Sequence, residues 1–153
     1  MKKGFTLIEL LVVIAILGLL SSLAVVSFGN IRGKSRDTKR ISDITALQKA
    51  MSLVFDSEGV YNPDDKCKAS FLVKNCQDGK LEEYLPTIKN LSDPLSPTLN
   101  CLYNCTQSCE YAFSVLMPNV YGVKFYLEQG TEQYKQPGCY VATKEGITPM
   151  VNP

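Results

Sequence analysis

From Leu10 to Ile31 this chain carries no charged side chain, and that run limits what it can fold into. A helix rises about 1.5 Å per residue, so the run is long enough to cross a hydrocarbon layer about 30 Å thick. Just ahead of it stand Lys2, Lys3, Gly4, Phe5, Thr6, Leu7, Ile8 and Glu9. Glu9 is the anomaly. A carboxylate at the edge of an apolar segment is costly unless it is paired or near headgroups, so its presence asks for a function.

The uncharged run is the first part of a longer helical pattern. No proline occurs between Met1 and Asn62, and residues 5 to about 56 read as one helix. The first part is apolar all round, as a membrane segment requires. The second part, 32–56, is amphipathic: Ile41, Ile44, Leu47, Met51 and Val54 recur at spacings of three and four, with Phe55 beside them. Arg40, Asp43 and Lys49 are read as lying off this stripe. Gly59, after Asp56-Ser57-Glu58, is a helix stop. Gly18, Gly29 and Gly33 are soft points, each costing about 1 kcal/mol relative to alanine. The basic cluster Arg32-Lys34-Arg36-Lys39-Arg40 reads as a solvated, lipid-facing collar. Nucleic acid is a weaker partner for it, because no aromatics interleave with the cations.

Residues 57–109 are irregular. Tyr61-Asn62-Pro63-Asp64-Asp65 and Ser92-Asp93-Pro94-Leu95-Ser96-Pro97 are turn or loop sequences, and Leu81–Leu85 reads as a helical turn stopped by Pro86. From Glu110 the period changes to two. Tyr121, Val123, Phe125 and Leu127 alternate with Gly122, Lys124, Tyr126 and Glu128, which predicts a half-buried antiparallel strand. Tyr111, Phe113 and Val115 predict its partner through Pro118-Asn119, and Gly138–Thr143 a third strand. The expected body is a sheet over 110–145 laid on the amphipathic half of the helix.

Composition narrows the chemistry. In 153 residues with a net charge of +1 there is no histidine, hence neither the usual general base nor the commonest metal ligand. No Gly-rich phosphate loop is present either, so no enzyme and no cofactor is expected. The 6 cysteines are Cys67, Cys76, Cys101, Cys105, Cys109 and Cys139, all after the apolar run. An even count in a small exported body reads as disulfides made in an oxidising compartment. Zinc is the competing reading, from the every-fourth-residue recurrence of Cys101, Cys105 and Cys109. It lacks a Cys-x-x-Cys pair and a histidine, so no metal is expected. Cys67 with Cys76 makes a local loop, and Cys109 with Cys139 would tie the sheet to the C-terminal segment. Asn104-Cys105-Thr106 matches an N-glycosylation acceptor.

Gly4-Phe5-Thr6-Leu7-Ile8-Glu9-Leu10-Leu11-Val12-Val13 resembles the class III signal of type IV pilins and type II secretion pseudopilins. The resemblance is strong over the first third of the chain. It implies an α+β, pilin-like fold with residues 1–4 as leader, 5–31 as transmembrane and filament-core helix, and 32–153 as globular body. It implies cleavage after Gly4 by a prepilin peptidase and N-methylation of Phe5. It implies that Glu9 docks each subunit into a helical homopolymer, built by an assembly platform and ATPase. The implied location is the cytoplasmic membrane, body outside, and then an extracellular pilus serving adhesion, twitching motility or DNA uptake. A pseudopilin of a secretion or competence system is the second member of the same class. Some pseudopilins hold calcium in a loop, but no ligand set here matches. Where many pilins carry a proline this chain has Val26.

Other readings of the same segment stay open. An ordinary signal peptide would use Lys2 and Lys3 as its basic region and Ser22-Leu23-Ala24 as its cleavage site, releasing a disulfide-rich binding module that begins near Val25. An uncleaved anchor would not need Glu9. Counting cations alone, the cluster after the run would face the cytoplasm, and the leader motif overrides that count.

Overall fold

A computed structural model describes residues 6–64 and 66–150, giving the backbone alone for 23–28. The chain divides into two compact units, 1–33 and 34–153. The expectations for the leader, Gly4 and Phe5 lie outside the described residues, as do Asp65 of the 61–65 turn and part of the Ser22-Leu23-Ala24 site.

Helix α1 spans Leu7–Glu58 and runs unbroken through Gly18, Gly29 and Gly33. In the first unit every side chain from Thr6 to Ser22 is exposed, including Leu10, Leu11, Ile14 and Leu17 at 54–58%. No helix among the described residues is long and apolar enough to cross a membrane. The run from Leu10 to Ile31 passes through 23–28, whose side chains are not described.

The second unit shows how the three-four spacing is used. Ile44, Leu47, Ala50, Met51 and Val54 are all at most 2% exposed. Gly59 ends the helix in the left-handed region, φ +75°, with its N–H donating to the Phe55 carbonyl at 2.8 Å. Glycine adopts that conformation without the penalty other residues incur. After it come a helical turn at Val73–Asn75, the short helix α2 at Lys80–Tyr84, and another turn at Ile88–Asn90. Val73, Leu81 and Ile88 of these turns are buried in the same core.

The sheet is a four-stranded antiparallel meander, β1 (Ala112–Met117), β2 (Val120–Leu127), β3 (Gly138–Thr143) and β4 (Gly146–Pro149), in the order β1-β2-β3-β4. It therefore runs past residue 145, because Ile147 pairs with Ala142 and packs on the core. In β2, Tyr121, Val123, Phe125 and Leu127 are each at most 1% exposed. Burying one such side chain contributes about 1.5–3 kcal/mol. The alternation breaks in β1. A bulge between Phe113 and Val115 shifts the phase, so Leu116 enters the core and Val115 is only half-buried. One extra residue moves every later side chain to the other face.

Candidate functional site

Two arrangements carry the unusual chemistry, one in each unit. The first is at the start of α1. Thr6 precedes the first helical residue and its Oγ1 accepts the Glu9 N–H at 3.3 Å. Glu9 reaches back, with Oε2 accepting from the Thr6 N–H at 2.9 Å and from its hydroxyl at 2.8 Å. This reciprocal pair satisfies donors that a helix N-terminus leaves open, and its sequence signature is Thr-x-x-Glu before an apolar run. Glu9 thus has a local structural partner that the resemblance did not anticipate. The carboxylate also lies at the positive end of the helix, where negative charge is favoured.

The second arrangement is a buried charge hub in the body. Arg40 is 0% exposed. Its Nε donates to Asp93 Oδ2 at 2.6 Å and its Nη2 to Asp93 Oδ1 at 2.9 Å. Nη1 donates to Asp37 Oδ1 at 2.7 Å and to Glu128 Oε1 at 2.6 Å, and Nη2 also to Ser108 Oγ at 3.2 Å. Every N–H of the guanidinium is thereby used. Burial works to lower the Arg40 pKa, but the hydrogen bonds it donates to Asp93 and then Glu128 outweigh it, and the guanidinium is held still more firmly protonated.

Asp37 does more than neutralise Arg40. Its oxygens accept the backbone N–H groups of Glu128, Gln129 and Gly130 at 2.9, 2.7 and 2.9 Å. The turn leaving β2 is thus bound by one buried carboxylate. Gly130 sits at φ +78°, and a Cβ there would come within 2.4 Å of the Tyr134 carbonyl oxygen. Glu128 also receives Arg36 through two parallel bonds, Nε at 2.8 Å and Nη2 at 2.6 Å. The Arg36 bond holds the Glu128 carboxyl below its ordinary range, burial opposes this, and Arg40 reinforces it. Around the rim, Lys39 pairs with Asp43, and Lys74 and Ser92 donate to Glu110 at 2.9 and 2.7 Å.

This geometry corrects the collar. Arg40 is sequestered, Arg36 is half-buried against Glu128 and Lys39 is paired with Asp43. Arg32 and Lys34 are exposed. A surface offered to nucleic acid is correspondingly smaller than the five-residue cluster suggested. Asp43 and Arg40 are also not off the stripe. The spacing that runs Val54, Met51, Leu47, Ile44 continues backward to Arg40 and Asp37, both 0% exposed. That continuation was the available signal.

The cysteines pair as Cys67–Cys76, Cys101–Cys109 and Cys105–Cys139. The expected Cys109–Cys139 link is therefore not formed. Asn100 and Glu110 form an isolated bridge, with the Glu110 N–H donating to the Leu99 carbonyl at 2.7 Å. This bridge brings Cys101 and Cys109 face to face, Cα atoms 4.9 Å apart, and leaves mid-loop Cys105 to reach β3. The sulfurs of Cys101, Cys105 and Cys109, whose every-fourth-residue recurrence raised zinc as a competing reading, lie within 4.8 Å of one another. In disulfides they are not the thiolates that bind a metal.

Residues 1–25 match the prokaryotic N-terminal methylation motif. The chain is similar to a fimbrial protein of Pseudomonas aeruginosa, 39% identical over 49 residues, 32% of each chain. It is similar to the type II secretion system core protein G of Aeromonas hydrophila, 44% identical over 52 residues, covering 34% of this chain and 36% of that one. Against the corresponding protein of Vibrio cholerae it is 34% identical over 73 residues, 48% of this chain and 50% of that one. The chain spans about a third to a half of the length of these relatives. No solved structure matches.

Proposed function

We propose that this chain is a structural subunit of a type IV pilus or closely related filament. In this reading it is made as a membrane-anchored precursor, cleaved after Gly4, methylated on Phe5 and polymerised through its N-terminal helix. The observation that carries the reading is the Thr6–Glu9 pair at the head of a helical stretch, Leu7 to Leu20, whose apolar side chains are all exposed, within a match to the methylation motif. Lipid tails are as apolar as leucine, so exchanging lipid for neighbouring helices gives little preference for any one register. A charge does give one. Glu9 of one copy placed near the freed amine of the next makes a misplaced copy costly, because it leaves an unpaired buried charge. Contacts of this head-to-tail kind do not close a ring and so build an open filament. Residues 5–31 of the mature helix are then the filament core, and the body, with its three disulfides, faces outside the cell as support for adhesion, motility or DNA uptake. The peptidase, the platform and its ATPase are the partners this route requires.

A pseudopilin of a secretion system is the second reading, favoured by the two matches to core protein G. Sheared cell-surface filaments containing the chain support the pilus, and confinement to the envelope supports the pseudopilin.

Glu9→Val and Glu9→Gln separate docking from capping. Glutamine at this position preserves the reciprocal cap but not the charge. Both variants are expected to be processed to a methylated Phe5 terminus by mass spectrometry and to fail in filament formation by electron microscopy. Normal filaments from Glu9→Gln would reduce Glu9 to a helix cap. A mature terminus near Val25 would replace the whole reading with a secreted module.

A further inference from the structure

The loop 101–109 concentrates sulfur in a way the filament reading does not use. Cys101–Cys109 closes the base of the loop and Cys105–Cys139 fastens its middle to β3. The two bonds share one neighbourhood, with the Cys105 sulfur within 4.8 Å of those of both Cys101 and Cys109. Their accessibility differs. Cys101 and Cys109 are 0% exposed, whereas Cys105 is half-buried and Cys139 is 9% exposed. A cavity of about 170 Å³ lies against the outer bond and also reaches Cys101 of the inner one, with Tyr103, Cys105, Lys124, Cys139 and Met150 in its lining. Lys124 supplies a cation there, and a nearby cation favours a sulfur leaving as thiolate.

We propose that Cys105–Cys139 is the entry point for thiol–disulfide exchange with a protein partner that presents a nucleophilic thiolate, and that exchange passes inward to Cys101–Cys109. The partner thiolate attacks the half-buried Cys105 sulfur, a mixed disulfide forms there, and Cys139 leaves as thiolate with the bonding electron pair. That thiolate attacks Cys101, which lines the same cavity, the Cys101–Cys109 bond breaks, and Cys109 leaves as thiolate. Cys109 then attacks the mixed disulfide at Cys105 and releases the partner thiolate unchanged. Nothing is oxidised or reduced overall, and the four sulfurs exchange partners. Attack of Cys139 on Cys109 instead yields Cys109–Cys139 with Cys101–Cys105. The backbone bridge between Asn100 and Glu110 favours the arrangement found, by holding Cys101 opposite Cys109. Cys67–Cys76 stands outside this set.

The test uses the full chain in detergent micelles with a substoichiometric monothiol, reduced glutathione, as the nucleophile. The reaction is quenched with acid, free thiols are alkylated, and disulfide peptides are mapped without reduction. The expected result is the gain of Cys105–Cys109 or Cys101–Cys105 peptides without denaturant, with Cys67–Cys76 opening at least about tenfold more slowly, as exchange rates follow access. Alkylation confined to Cys105 and Cys139, with Cys101–Cys109 intact, overturns the relay. A second arm uses Cys139→Ser, which frees Cys105 without any reductant. Label distributed over Cys101, Cys105 and Cys109 supports the relay, and label on Cys105 alone overturns it.

Discussion

Between Leu7 and Leu20 every apolar side chain of α1 is exposed, whereas between Ile44 and Val54 of the same helix five apolar side chains are at most 2% exposed. Hydrophobicity does not separate the two stretches. Arrangement does: the first is apolar around its whole circumference, the second along one stripe. A stripe is satisfied by one sheet, and the chain carries that sheet itself. A fully apolar cylinder needs apolar matter on all sides, which lipid or several further copies of the helix provide. Polar groups divide in the same way. Among the described residues Glu9 is bonded to Thr6, three positions away, while Arg40 draws on residues 53 and 88 positions away.

Arg40→Met attacks the second region where its cost is greatest. The change leaves the Asp37 and Asp93 carboxylates buried without their cation, and one-sided loss of a buried pair costs about 3–5 kcal/mol. Urea unfolding of the detergent-solubilised subunit is expected to show that loss, and a change below about 1 kcal/mol would mean that the hub is not what fastens the helix to the loops. A paired substitution compares the regions directly. Leu47→Ala, at a site 1% exposed, is expected to cost about 2–5 kcal/mol in the same assay. Leu17→Ala, at a site 56% exposed, is expected to stay within about 0.5 kcal/mol. Equal effects would erase the distinction between the stretches.

The smallest effect is on acid stability. The folded-state pKa of Glu128 is depressed, first through Arg36, against burial, with Arg40 adding to it. Its contribution is therefore complete above the unfolded carboxyl value of about 4.3 and disappears as pH falls through the lower folded value. Thermal unfolding followed from neutral pH downward should hold level and then drop in that window. Glu128→Gln should flatten the drop, and an unchanged acid limb would place the sensitivity elsewhere.

What could be read in the residues was what repeats locally. The helix, its stop at Gly59, the β2 alternation and β3 follow from periodicity within a few residues. Charged burial was not readable by rules that look for apolar faces. Asp37 and Arg40 occupy stripe positions, yet only Asp93 and Glu128, far along the chain, make their burial tolerable. The phase change in β1 is invisible for the same reason, since a bulge is set by the neighbouring strand. The pairing of Cys109 turned on a single bridge between Asn100 and Glu110. Thr6 and Glu9 carry a readable capping signature, Thr-x-x-Glu ahead of an apolar run.

Arg40 behaves like a metal ion with its coordination sphere full. Lysine has fewer donors and no planar fork, so Arg40→Lys would be a change of valence despite the conserved charge. The loop around Asp93 and the turn after Glu128 are accordingly not free to vary alone. A graft at either place keeps the body folded only if it brings an oxyanion of its own to the same vacant corner.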